Sequence, residues 1–223
     1  MYAVSIAGRI EDVRRRIASA CERSGRSRDD VTLVAVTKGV SPGSIEQAAT
    51  AGIRDFGENR VQEALAKQPQ LSRLAPSVTW HLVGHLQTNK VKTAMGLFDI
   101  IHSVDSLHLA EAISRRATKP IPIFLEVNVS GEQTKFGFSP QKLDRDGTAI
   151  ALLPNLDLLG LMTVAPQVDG PGQVRPVFQL LREAAERLSL TELSMGMSDD
   201  FEVAVEEGAT HLRIGRAIFG ERR

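Results

Sequence analysis

The first part of the chain carries an apolar stripe at helical spacing. Five residues recur at intervals of four, three, four and four positions: Ile6, Ile10, Val13, Ile17 and Cys21. This spacing is typical of one face of an amphipathic helix. Gly25 stands where such a helix would end. We therefore predict an N-terminal helix over residues 1–24, with its apolar face packed on the rest of the protein.

From residue 32 onward the pattern changes to short β-branched runs, each followed by a longer stretch at helical spacing. This alternation indicates repeated βα units around a parallel sheet. The predicted strands cover residues 32–38, 55–59, 79–86, 99–104, 121–129, 156–164, 192–197 and 211–215. The predicted helices cover residues 44–51, 61–74, 89–95, 107–117, 139–153, 174–188 and 199–207. Residues 167–176 are rich in Pro and Gly, which predicts a mobile loop.

Eight predicted strands within 223 residues favour a closed (β/α)8 TIM barrel over an open doubly wound sheet. Each strand except the last is followed by a helix, and the last by a short tail. No linker or low-complexity run divides the chain. We predict a single α/β domain over residues 1–223, with the helix at residues 1–24 as an addition to the barrel.

Charge and cysteine content narrow the function classes. Lys and Arg total 27, as do Asp and Glu, so the formal net charge is zero. Without a field over the whole molecule, we expect neither nucleic acid nor a membrane as a partner. Cys21 is the sole cysteine, which excludes an internal disulfide and suits a reducing compartment. The charged N-terminus resembles neither a signal peptide nor a membrane span, so we expect a cytoplasmic protein.

Polar residues end or follow most of the predicted strands. They are Lys38, Asn59, His85, Gln87, Asn128, Thr163, Ser198 and Arg213. In barrels of this kind the chemistry lies at the carboxyl ends of the strands, so these side chains should converge on one mouth. His81 and His85 have the spacing of a zinc-protease pair. The glutamate of that motif is absent and the segment is a predicted strand, so we expect no metal.

Lys38 follows the apolar run 33–36, where an unpaired ammonium would cost several kcal/mol or so. Spacing alone does not distinguish between two explanations for a lysine at this position. Lys38 could pair with a carboxylate such as Glu58 or Glu126. Alternatively, desolvation and a nearby cation could lower its pKa, giving a neutral amine that condenses with an aldehyde.

Residues 194–201 and 212–216 lie at the ends of the seventh and eighth strands, where barrels of this type commonly bind a phosphate. Ser198 offers a hydroxyl and Gly215 permits close approach of the backbone. Ser198 is also a good N-cap for a helix that starts with Asp199 and Asp200, and the two roles are compatible.

Seven segments then occur in a specific order along almost the whole chain. They are VTK at 36–38, FGEN at 56–59, WHLVGHLQTNK at 80–90, NVS at 128–130 with Lys135 and Gly137, GLMT at 160–163, SMGMS at 194–198 and RIG at 213–215. Together they resemble the YggS/PROSC family of pyridoxal phosphate homeostasis proteins. Such proteins share the barrel of the alanine racemase N-terminal domain, which is the fold type III of pyridoxal 5'-phosphate (PLP) proteins.

The resemblance implies that PLP is bound covalently, as an aldimine on Lys38. It implies that three residues line the pocket, namely Asn59, Gly84 and Met162, and that three hold the phosphate, namely Ser198, Gly215 and Arg216. It places Arg213 at the pyridine nitrogen, where a guanidinium disfavours ring protonation and makes the ring a poorer electron sink. Two positions depart from the family pattern: Arg216 replaces a small hydroxyl residue and Arg60 an aromatic one.

From this resemblance we expect a monomeric PLP-binding protein of cofactor homeostasis, with no catalytic residues, that supplies PLP-dependent apo-enzymes. The main rival is a PLP-dependent amino-acid racemase. Such racemases append a β-rich domain with a catalytic tyrosine, whereas this sequence contains Tyr2 as its single tyrosine. The sequence is also compatible with a signalling or scaffold protein whose cofactor reports metabolic state, and with a phosphosugar enzyme that keeps Lys38 free.

Overall fold

The computed structural model describes residues 5–132 and 136–221. Lys135, one of the residues that carried the resemblance, and Tyr2 lie outside this part. Eight parallel strands close into a barrel in chain order, because β1 pairs with both β2 and β8. The strands are β1 (Thr32–Val36), β2 (Asp55–Glu58), β3 (Thr79–Leu82), β4 (Ile100–Val104), β5 (Ile121–Glu126), β6 (Leu156–Met162), β7 (Glu192–Ser194) and β8 (His211–Ile214). The predicted (β/α)8 fold is confirmed.

Helices surround the barrel in the predicted order. They are α1 (Ile6–Ser24), α2 (Pro42–Thr50), α3 (Val61–Lys67), α4 (Val91–Ala94), α5 (Leu107–Arg116), α6 (Pro140–Ala151), α7 (Arg175–Arg187), α8 (Phe201–Glu206) and α9 (Arg216–Phe219). None of the helices in the described ranges is long and apolar enough to cross a membrane.

Several predicted strands extend too far at their carboxyl ends. β1 ends at Val36 rather than at residue 38, β3 at Leu82 rather than 86, and β7 at Ser194 rather than 197. In β7 the reason is local, since Gly196 has φ +95°, which extended strands do not adopt. Residues 167–176 are also more ordered in secondary structure than predicted, since a 3-10 turn spans Pro171–Val174 and α7 begins at Arg175.

Helix α1 is held at both ends and packs on the last helices. The Ser5 side chain accepts a hydrogen bond from the Gly8 amide, and Gly25 ends the helix with φ +67°. The predicted stripe is buried from Ile10 onward. Arg16 adds an ion pair to Glu202 of α8 at 2.7 Å, and its guanidinium lies 4.5 Å from the centre of the Phe201 ring.

The inside of the barrel contains a polar layer as well as apolar packing. His81, His102 and Ser194 are fully buried there, and Arg213 nearly so. Along β8, His211 and Arg213 alternate with two residues that belong to the main apolar core, as the two-residue period of a strand requires. This buried polar layer lies beneath the mouth of the barrel.

Candidate functional site

A cavity of about 620 Å³ opens at the carboxyl ends of the strands. Six of the eight predicted site residues line it: Lys38, Asn59, Ser198, Arg213, Gly215 and Arg216. The remaining lining comes from residues that the sequence did not single out for this role: Val36, Val83, Val164, Gln167, Met197, Asp199, Gly220 and Glu221. The volume lies within the usual range for small-molecule sites.

Lys38 lies two residues beyond the end of β1 and is half-buried in the cavity wall. It forms no ion pair within residues 5–132 and 136–221. Of the two alternatives left open for Lys38, the pairing with Glu58 is wrong, because that carboxylate bonds Lys67 Nζ at 2.8 Å. Nor is Glu126 an ion-pair partner of Lys38 in the described structure. The amine is therefore not committed to a structural salt bridge.

A buried cluster holds the backbone on both sides of Lys38. Lys67 Nζ donates to the Thr37 carbonyl at 2.6 Å, and the Thr37 hydroxyl donates to Glu58 Oε1 at 2.6 Å. On the other side, Glu63 accepts from the Gly39 amide at 2.5 Å. Burial raises the pKa of the Glu58 carboxyl, while Lys67 and Thr37 oppose that rise. Lys67 was not among the residues predicted for the site, although its spacing of four from Glu63 on a helix is a signal of an ion pair.

Asn59 lines the cavity and contains an unsatisfied polar atom. Its Oδ1 atom is buried and has no hydrogen-bond partner in the described part of the chain. An unpaired buried acceptor costs about 1–3 kcal/mol, so this atom favours a ligand that brings a donor. Gly84 packs closely against the Asn59 backbone, since a Cβ on Gly84 would lie 2.3 Å from the Asn59 carbonyl oxygen. Gly84 itself does not line the cavity.

Arg213 projects from β8 into the cavity floor. Its Nη1 donates to Ser194 Oγ and its Nη2 to the Thr163 carbonyl, each at 2.7 Å. Burial lowers its pKa to about 10, against the raising influence of Glu126 and Asp200. The guanidinium is therefore charged at neutral pH, although it is desolvated.

Ser198 connects the loop after β7 to α9. Its Oγ accepts a hydrogen bond from the Ala217 amide at 3.1 Å. The predicted N-cap role of Ser198 is wrong, because α8 starts at Phe201 and Asp200 occupies the cap position. The Asp200 carboxylate accepts from the Met197 amide at 2.6 Å, which turns the chain before the helix begins.

Arg216, which replaces the usual small residue, lies at the cavity rim. Its guanidinium pairs with Asp199 and the side chain is half exposed. An anion in the cavity would therefore compete with the Asp199 carboxylate for this cation. The second departure, Arg60, is exposed and precedes α3.

The polar residues that follow β3, β5 and β6 do not line the cavity. His85 pairs with Asp105 at 3.0 Å and stacks on Phe136, with ring centres 3.9 Å apart. Asn128 accepts from the Gly131 amide at 3.0 Å and so shapes its own loop. Thr163 donates to the Val127 carbonyl at 2.8 Å. Met162, at the end of β6, is buried and does not line the cavity.

Glu126, the last residue of β5, has ionisation properties that were not predicted from the sequence. Burial and, to a lesser extent, Asp105 raise its pKa to about 7, and Arg213 opposes the rise. Its place in the fifth strand was predicted from the sequence, although that strand was expected to continue to residue 129. Its desolvation was not, because that depends on the strands packed around it.

The arrangement suits an anionic aldehyde. An uncommitted amine, a charged guanidinium and the asparagine with the unsatisfied amide oxygen belong to the wall of one cavity, and a hydroxyl lies next to the start of α9. Within the described ranges, no three His, Cys, Asp or Glu side chains are grouped to hold a metal ion.

Comparison with known proteins identifies the relatives of this chain. Residues 10–223 match the family model of the alanine racemase N-terminal domain. A pyridoxal phosphate homeostasis protein of Aquifex aeolicus is 46% identical, with 96% of this chain and 97% of that protein aligned. The protein of the same name from Escherichia coli K12 is 36% identical, with 97% of each chain aligned.

Two solved structures extend the comparison. PipY of Synechococcus elongatus PCC7942, solved with PLP bound, has a TM-score of 0.82 and 40% identity over 93% of this chain and 100% of its own. Alanine racemase of Corynebacterium glutamicum has a TM-score of 0.69 at 17% identity, over 95% of this chain and 61% of its own, which shows a shared fold. The chain belongs to the alanine racemase N-terminal domain family and, within it, to the pyridoxal phosphate homeostasis proteins.

Proposed function

We propose that this protein binds PLP reversibly in the mouth cavity, as a Schiff base on Lys38 Nζ, and thereby takes part in PLP homeostasis. The observation that carries the proposal is the Lys38 amine, which has no ion pair among the described residues and lines a cavity with a buried guanidinium. The relatives named as PLP homeostasis proteins, and PipY with its bound PLP, support the choice of ligand.

The other predicted residues have roles that their positions support. Arg213 is proposed to face the pyridine nitrogen, and a charged guanidinium there disfavours ring protonation. Ser198, Gly215 and Arg216 are proposed to bind the phosphate, with Arg216 exchanging its contact to Asp199 for one to the anion. The unsatisfied Oδ1 of Asn59 is proposed to accept a hydrogen bond from the ligand.

Gly84 and Met162 are proposed to act on the ligand indirectly. Gly84 allows the loop after β3 to approach the Asn59 backbone. Met162 is buried at the end of β6, next to Thr163, whose carbonyl oxygen accepts from Arg213. Both residues would set the position of groups that line the cavity.

Bound PLP supplies an electrophilic imine and, when its ring is protonated, an electron sink. Because Arg213 opposes ring protonation, we propose that the protein holds the cofactor without turning over a substrate. We propose a cytoplasmic monomer that acts as one domain over residues 1–223. Its proposed recipients are PLP-dependent apo-enzymes.

The test is spectroscopic. Purified protein mixed with PLP should develop the visible absorption of an imine, and borohydride reduction should attach the cofactor permanently. Peptide mapping should locate it on Lys38. Lys38→Ala should abolish both signals, whereas Lys90→Ala, a half-buried lysine outside the cavity lining, should leave them unchanged. A colourless wild-type protein, or modification at Lys90, would overturn the proposal.

The absence of turnover has its own test. The loaded protein in deuterated water should exchange the α proton of amino acids no faster than free PLP does. Faster exchange would favour a racemase, and its loss in Glu126→Gln would assign the acid–base role to Glu126. Glu126 is chosen for this variant because its pKa is raised to about 7, although it does not line the cavity.

A further inference from the structure

A continuous chain of buried hydrogen bonds leads from Arg213 through the inside of the barrel. Arg213 Nη1 lies 2.7 Å from Ser194 Oγ, which lies 2.8 Å from His102 Nδ1. His102 Nε2 lies 2.9 Å from His81 Nδ1. His81 Nε2 lies 3.1 Å from Asp55 Oδ1. The chain therefore connects a cation at the cavity floor to a carboxylate at the amino end of β2.

The chemistry at its first member gives the chain a direction. The Arg213 guanidinium can only donate, so Ser194 Oγ accepts from it. The Ser194 hydroxyl then has one proton to donate, and the nitrogen within reach is His102 Nδ1. His102 must carry its own proton on Nε2 and donate it to His81.

His81 continues the same pattern. Because its Nδ1 accepts from His102, its proton lies on Nε2 and is donated to the Asp55 carboxylate. Each of the four hydrogen bonds then contains one proton, and both imidazoles are neutral. Hydrogen bonds aligned in one direction strengthen each other in a medium of low dielectric.

The reversed direction is less favourable. It would require His81 to be an imidazolium, with His102 donating from Nδ1 to Ser194. The buried Ser194 hydroxyl would then accept twice and would have no acceptor of its own within the described chain, which leaves a buried donor unsatisfied. A second buried cation would also be added near Arg213.

We propose that Ser194, His102 and His81 are positioning residues, which orient the Arg213 guanidinium at the cavity floor and couple it to the negative charge of Asp55. Their effect on a cofactor ring rests on the proposed function, whereas the direction of the chain does not. Asp55 is partly exposed and lines a second cavity, of about 320 Å³, at the amino end of the barrel. The environment of the ring nitrogen is thus linked to a charge at the other end of the fold.

Two further ionisable groups adjoin the chain without belonging to it. His211 lies 5.7 Å from the His102 ring, but its Nδ1 contacts Thr210 Oγ1 at 3.0 Å and, at 3.5 Å, Glu192. Glu126 acts on Arg213 through its charge. His211 therefore provides a matched control, because it shares the packing around His102 but none of the chain's hydrogen bonds.

The first experiment uses the wild-type protein without PLP. Nitrogen-15 NMR of the histidine side chains reports which ring nitrogen carries the proton. We expect His81 and His102 both to be neutral and protonated on Nε2 at neutral pH. A proton on His102 Nδ1, or an imidazolium at His81, would overturn the proposed direction.

The second experiment measures coupling to the site. His102→Phe interrupts the chain but keeps a flat ring against Phe124, whose centre lies 4.5 Å away. Bound PLP should show a shifted absorption maximum and bind up to about tenfold more weakly, the upper end of the net effect of one hydrogen bond. His211→Phe should leave both quantities unchanged. Asp55→Asn, which retains an acceptor for His81 but removes the charge, should shift the pH dependence of the spectrum.

Equal spectra and affinities in His102→Phe and His211→Phe would refute the positioning role. If His102→Phe does not fold, Ser194→Ala removes the Arg213 acceptor directly and should show the same shift. A wild-type protein that binds no PLP would refute the proposed function instead, and the tautomer measurement would still decide whether the chain exists.

Discussion

Removal of the Lys67 ammonium should destabilise the protein strongly, because Glu58 would remain as a buried charge. Glu58 is fully buried and the Lys67 side chain is only 11% exposed. Breaking such a pair from one side costs about 3–5 kcal/mol. The bond to Glu63 adds less, since that carboxylate is partly exposed. For Lys67→Met we therefore expect a loss of about 3 kcal/mol in the free energy of unfolding at pH 7.

For a chain of this length, each kcal/mol corresponds to about 2–4 °C in Tm, so the loss should lower Tm by about 6–12 °C. The double variant Glu58→Met with Lys67→Met should recover most of it, because the pair is replaced by apolar side chains of similar length. The Thr37 groups remain paired in that variant. The Thr37 carbonyl still accepts a hydrogen bond from the Val40 amide at 2.9 Å, and the Thr37 hydroxyl still reaches the Gly57 carbonyl at 3.2 Å.

Urea unfolding at pH 7 measures these differences, with Lys92→Met on the exposed face of α4 as the control, expected within about 0.5 kcal/mol of wild type. The sign of the pH dependence is an added check. Since Glu58 has a raised pKa when folded, the folded state binds its proton more readily, and the deficit of Lys67→Met should shrink as pH falls. A loss below about 1 kcal/mol, or no recovery in the double variant, would show that Glu58 is not left as an uncompensated buried charge.

Two further predictions concern packing and acid stability. Gly84→Ala should lower the free energy of unfolding by about 1–3 kcal/mol and weaken PLP binding, because the new Cβ would meet the Asn59 backbone oxygen. As a control, Gly43→Ala, which has nothing within 4 Å of its Cβ, should raise the free energy of unfolding by up to about 1 kcal/mol in the same urea titration. Burial lowers the pKa of His211 to about 4 and that of His102 well below its usual range, so each contributes stability above pH 6.5 or so that is lost as pH falls. His211→Phe should therefore become more stable relative to wild type by about 1.4 kcal/mol per pH unit between about pH 6 and 4.5, and a constant difference across that range would contradict the assignment.

Much of the site was predictable because strand ends are local features. The apolar run 33–36 followed by Lys38 shows in the sequence where a polar group follows a strand. Parallel strands in a barrel bring their carboxyl ends together, so the convergence of Lys38, Asn59, Ser198 and Arg213 follows from the fold class. The motif order then indicated the ligand.

Strand bounds and side-chain partners were harder to predict from the sequence. Glu58 was a candidate partner of Lys38, and the choice of Lys67 instead depends on how α3 packs against β2. Gly84 was expected at the ligand, whereas the close approach of its loop to Asn59 gives it a supporting position. Such choices depend on distances between elements that no local pattern encodes.

The periodicity and motif order of this chain were sufficient for the barrel, its mouth and the residues that face it, because these depend on spacing within single strands and helices. The buried chain from Arg213 to Asp55 required the closed barrel. Its histidines are 21 residues apart and Ser194 is 92 residues beyond His102. Only the circular pairing of eight strands brings these groups within hydrogen-bond distance and removes them from water.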